Sequence, residues 1–217
     1  QLLYGPQTIS GTINYITPNP PRNPAGFVAG TVGNNDYYNG QLNYGGWAGN
    51  FGGLVDYVHK EGDGARENTH HEIDDVGVKG VVQISPESAL IGKVSYFRED
   101  SQVTYSGITD AEARNFGLRY NPFENDSFNT ERVGASLTHN WDLNSNVSVA
   151  SSFYYNSFDR DWWRQSSSTT DGQCNDTLYG GLNFREARIA GIAVDANDCN
   201  SVQGRLRAYE TRGFEQR

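Results

Sequence analysis

The 217-residue sequence has no methionine, only two cysteines, and no apolar run of the roughly 18 residues that a membrane-spanning helix needs. The missing methionine, at the first position as elsewhere, points to a processed chain or a piece of a longer one. Positive charge is also scarce: 17 Lys and Arg stand against 26 Asp and Glu, for a net charge of −9. That excludes the basic face that nucleic-acid phosphates require. The lack of a long apolar run excludes a transmembrane helix but not a transmembrane β-barrel, which carries its apolar face in every second residue. A mean hydropathy of −0.67 is therefore compatible with a membrane protein. Cys174 and Cys199 both lie in a polar stretch rich in Ser, Asn, Asp and Gly. This favours one disulfide in an oxidising compartment, closing a loop worth about 3 kcal/mol, over two free thiols.

What is present is Gly, with 25 residues, and period-two alternation. Eight runs bounded by Gly, Pro, Asn or Asp read as strands: 27–34, 37–47, 51–61, 75–84, 89–99, 131–141, 147–158 and 205–215. The connections between them alternate in length. Those at 48–50, 85–88 and 142–146 are short, while those at 62–73, 100–130 and 159–204 are long. In an up-and-down meander every second turn lies at the same end, so the short turns share one end and the long loops the other. Outer-membrane barrels sort their connections this way, and Greek-key sandwiches have no reason to.

The charges respect the alternation. Val76, Val78, Val82 and Ile84 share a face that Lys79 avoids. Leu90, Val94 and Tyr96 share one that Lys93 avoids, and Val133, Ala135, Leu137 and Trp141 one that Arg132 avoids. Each opposite face suits a wet lumen, although a soluble sandwich would also alternate. Aromatic residues gather at strand ends. Trp47, Phe51 and Trp141 stand by the short turns, and Tyr57, Tyr96, Phe97, Tyr155, Phe158, Trp162 and Trp163 toward the long loops. They are expected to form two membrane-interface girdles.

The opening stretch contains Tyr4-Gly5-Pro6, then Gly11, Ile13, Asn14 and Thr17, and a Pro-rich segment, PNPPRNP, over 18–24. This pattern resembles the end of the plug domain of TonB-dependent outer-membrane transporters. Stretches 121–141, 153–167 and 204–217 resemble the ferric dicitrate receptor subgroup. The resemblance implies an all-β fold: a partial antiparallel transmembrane β-barrel, about eight strands of about 22. Residues 1–24 would be the end of the plug and a linker, and 25–217 the N-terminal part of the barrel. The TonB box, most of the plug and the other strands would lie outside the chain. It further implies import of a ferric citrate-like chelate, energised through TonB, with outer-membrane lipid and lipopolysaccharide as surroundings. Neither covalent chemistry nor a cofactor is implied, iron being part of the cargo.

An anionic chelate calls for arginine, whose planar fork suits carboxylates. The resemblance makes Arg160 the closest match to a ligand-binding arginine. Arg164 stands beside it in DRDWWRQ, Trp162 and Trp163 are candidate pocket walls, and Arg98 is a further candidate. The alternative is that these residues form the upper girdle and pair with Asp159 or Asp161. His59, His70, His71 and Glu72 match no structural zinc spacing, so no metal site is expected. Nor does any carboxylate pair suggest hydrolysis. The rival functions are transport of another cargo (a different siderophore, haem or a sugar), a passive porin, and a soluble secreted β-protein.

Overall fold

The computed structural model describes residues 16–104, 107–163, 178–195 and, for the backbone, 207–216. Eight strands follow one another in the sheet in sequence order, each antiparallel to the last. They are β1 (Ala25–Val32), β2 (Tyr38–Ala48), β3 (Phe51–Asp63), β4 (His70–Ser85), β5 (Ser88–Ser101), β6 (Ser127–Asn144), β7 (Val147–Trp163) and β8 (Arg207–Gln216). Two short helices, α1 (Asp110–Phe116) and α2 (Phe184–Ala190), lie in the connections after β5 and β7. The meander and the sorting of connections are as the sequence predicts. At one end the links are two-residue turns, such as the one after Ala48, where Gly49 takes a left-handed φ of 59°. At the other end lie the longer connections, short after β1 and β3 and much longer after β5 and β7.

The strands are longer than expected at this second end. β4 begins at His70 and β7 runs to Trp163, so much of 62–73 and 159–163 is ladder, not loop. These stretches are charged, which mimics a loop in sequence. They remain strands because polar partners meet across the ladder: His59 Nδ1 lies 2.9 Å from Asp74, and Thr130 donates to the Asp159 carbonyl at 2.9 Å.

The register fixes two faces. On one, Val55, Val78, Val94, Ala135 and Tyr155 form a row across five strands. Val78 is 49% exposed, Val94 57% and Phe153 54%. All described strands belong to one sheet, so no second sheet among the described residues covers these side chains, as a sandwich would require. This is the lipid-facing side of a partial transmembrane barrel. The girdle expectation needs correction. Phe51, Trp141, Tyr57, Tyr96, Tyr155 and Trp163 do lie on this outward face, but Trp47, Phe97, Phe158 and Trp162 have the opposite parity and point inward.

Leu54 and Val81 are buried on the inward face of the sheet, and the deepest apolar burial among the described residues lies in the long connections. Phe123 and Phe184 are 2% and 1% exposed, with ring centroids 6.1 Å apart. Both helices start with capping boxes, Thr109 with Glu112 and Asn183 with Glu186. Glu112, fully buried, takes a two-pronged bond from Arg188 at 2.6 and 2.9 Å. Burial raises the pKa of the Tyr120 hydroxyl, which lies beside the Val194 main chain. Cys174 and Cys199, Arg164 and the plug-like residues 1–15 lie outside the described residues.

Candidate functional site

The inward face carries polar and charged residues in rows that the register defines. One of these runs Leu54, Lys79, Lys93, Ser136. Lys79 and Lys93 are directly opposite, a like-charge pair that would be unfavourable alone. Residues 16–24 relieve it by passing over Lys79 as a strap. The ammonium donates to the Thr17 carbonyl at 3.2 Å, the Pro18 carbonyl at 3.0 Å and Asn19 Oδ1 at 2.6 Å. Its three donors are thus satisfied, and the residue is only 6% exposed. The Trp47 indole N–H donates to the Pro20 carbonyl at 3.0 Å, fastening the strap a second time. That indole lies flat on Gly52, where a Cβ would come within 2.6 Å of the ring. Beside the strap is an inward cavity of about 790 Å³, whose polar lining includes Asn43, Asp56, Asp75, Lys93 and Arg132.

Two and three rows higher, toward the long loops, the sheet backs its arginines with aromatic rings. Arg132 faces Phe97, its guanidinium carbon 5.4 Å from the ring centre. Arg160 stands over Trp162 at the same 5.4 Å, and Trp162 meets Phe128 edge-on. Such contacts hold a guanidinium in place while leaving its edge able to bond. Arg160 is also placed next to Thr130, and beyond it Glu99, in one inward row. Its Nε is shielded from solvent and has no hydrogen-bond partner among the described residues.

The structure thus separates the arginines and tryptophans singled out in the sequence. Arg160 and Trp162 lie together on the inward face. Arg98 lies on the outward face, 3.9 Å from Asp100, and Trp163 is exposed on that same face. Arg132, Phe97 and Lys79 join the inward set and were not expected there as site residues, although their parity placed them opposite the apolar face. The histidines also part. His70 bonds Asp63 at 2.9 Å, and His71 belongs to the inward parity. His59, Glu72 and Asp74 gather outward with ligating atoms within 4.8 Å of one another, yet His59 and the Tyr57 hydroxyl already bond Asp74.

No protein-family model matches the sequence, and no curated protein matches it. Solved structures do match. The crystal structure of the ferric citrate transporter FecA in its unliganded form aligns over 76% of this chain with a TM-score of 0.63 and 22% identity. The fold is that of a section of β-barrel wall. The ferric-catecholate import receptor Fiu from Escherichia coli K12 agrees. Its closed form aligns over 97% of this chain with a TM-score of 0.63 and 13% identity, its open form over 67% with 0.56 and 15%. The chain spans 25% to 30% of the length of these solved chains. At such identities the likeness is one of fold. The neighbours are, by name, a transporter and an import receptor.

Proposed function

We propose that this chain forms part of the wall of an outer-membrane, TonB-dependent receptor that imports a ferric chelate, with a citrate-like, carboxylate-rich complex as cargo. The supporting observation is Arg160: an inward arginine, stacked on Trp162, whose shielded Nε has no acceptor among the described residues. A buried donor without a partner costs about 1–3 kcal/mol. A carboxylate of the cargo would remove that cost and gain a charge-assisted bond. Arg132 on Phe97 offers a second guanidinium on the same face. The strap over Lys79 and Trp47 suits a plug that continues into the wall. Arg164 would add a further cation from the connection after β7. TonB is then the partner that supplies energy, and lipid and lipopolysaccharide surround the outward face.

The test is uptake and binding of radiolabelled ferric citrate by cells bearing the full-length receptor. Arg160→Ala is expected to weaken binding roughly ten- to a hundredfold, the range for a charged hydrogen bond of about 1.5–3 kcal/mol. Arg160→Lys should restore it only in part, because a lysine cannot present the planar fork. Arg98→Ala, on the outward face, should leave it unchanged. Equal binding by wild type and Arg160→Ala would refute the assignment. Uptake of ferric catecholates but not ferric citrate would keep the receptor and change the cargo.

A further inference from the structure

Three connections that are distant in sequence are bonded to one another at the loop end of the sheet. Between the β5–β6 and β7–β8 connections, Arg188 grips Glu112 with two nitrogens and also donates to the Gly107 carbonyl at 2.8 Å. The Thr109 hydroxyl donates back to the Arg188 carbonyl at 3.0 Å, and Asn115 to the Gly191 carbonyl at 2.9 Å. The Arg188 guanidinium covers Phe123 at 4.7 Å, which in turn packs on Phe184. The β3–β4 connection joins through Glu67. Its N–H donates to the Arg119 carbonyl at 2.7 Å, and its carbonyl accepts from Asn121, 2% exposed, at 2.9 Å.

We infer that the described parts of these connections, 64–69, 107–126 and 178–195, form one cap that orders and opens as a single body, with Glu112–Arg188 as its latch. The pair is suited to that role. Glu112 is fully buried, so losing Arg188 would leave a carboxylate out of water and unpaired, and the α1–α2 contact could not persist. Asn121 and Phe123 sit on the segment that α1 anchors, so release of the latch frees the Glu67 contact as well. The cap belongs to the connections that follow β5 and β7 in sequence, and β7 carries Arg160 and Trp162. A ligand that touches any one of the three connections would therefore act on all of them. The inference does not depend on which cargo is carried.

Limited trypsin digestion of the full-length protein in detergent micelles tests it, because each arm bears its own arginines. In Glu112→Ala, cleavage after Arg66, in the β3–β4 connection that Glu112 does not touch, is expected to rise at least tenfold. Cleavage after Arg114 and Arg119 should rise with it. Asn121→Ala should release Arg66 while leaving Arg114 protected. Heat-modifiable mobility on gels reports whether the wall has folded. If Glu112→Ala fails that control, Thr109→Ala, which removes one bond across the latch, is expected to give the same joint rise at smaller amplitude. Faster cleavage after Arg114 with an unchanged rate after Arg66 would show that the connections move independently and overturn the inference. So would an unchanged pattern in both latch variants.

Discussion

A charge placed on the outward face tests the membrane reading directly, and Val94 is the position of choice. It lies in the all-apolar row Val55, Val78, Val94, Ala135, Tyr155, and is 57% exposed in a sheet with no covering layer. On β4 the outward apolar residues run from Val76 to Ile84, with Asp74 the first charge beyond them. This matches the 9–11 residues of a spanning strand, and puts the Val78–Val94 row about two residues from the middle. An arginine there would cost roughly 2–4 kcal/mol, or about thirtyfold to several hundredfold in the folding equilibrium. Gln41→Arg is the matched control. Gln41 lies on the inward face and lines the cavity that holds Asp56 and Asp75, so a cation there should cost under about 1 kcal/mol. The assay is urea unfolding of the full-length protein refolded into phospholipid vesicles, read by tryptophan fluorescence. Equal stability of Val94→Arg and Gln41→Arg would refute the assignment of faces. A Val94→Arg variant that stays stable and soluble without lipid would refute the barrel itself.

Two further outcomes concern the cap. The Tyr120 hydroxyl has its pKa raised by burial above the ordinary value of 10.0, so the folded cap holds that proton more tightly than the unfolded chain. Its contribution is therefore fully present below about pH 10 and is lost as pH rises through the higher folded value. Protease sensitivity of the cap should climb in that window, and less so in Tyr120→Phe. Cys174 and Cys199 are expected to resist a thiol-specific label until reduced. Reduction should lower the stability of the cap by about 3 kcal/mol, and labelling of the unreduced protein would rule the disulfide out.

Much of the architecture is legible in the alternation of residues such as Lys79 against Val78 and Val82, because lipid tolerates charge on one face only. The same parity assigns Arg98 outward, since it follows Val94 and Tyr96 at even spacing, and Trp47 inward. Position near a strand end suggested a ligand contact for the first and a girdle for the second, and position says nothing about face. The upper strand ends, such as HHEID at 70–74, were hidden by charge, because cross-strand ion pairs can replace apolar packing in a ladder. The helices left a readable mark in TDAE and NFRE, each an N-cap residue with Glu at the third position. Their surroundings, rich in Gly, Asn and Asp, drew attention to loop instead. The pairing of Glu112 with Arg188 joins residues far apart in the chain, and no local pattern announces it.

The strap's attachment at Lys79 has a bearing on how this wall tolerates change. Two of the three acceptors are main-chain carbonyls, those of Thr17 and Pro18, and Trp47 likewise reads only the carbonyl of Pro20. A carbonyl is present whatever residue supplies it. The crossing segment can therefore exchange side chains over evolutionary time and stay moored, provided its backbone keeps its path. The restriction falls on the mooring posts: a lysine, a tryptophan, and the glycine beneath that tryptophan.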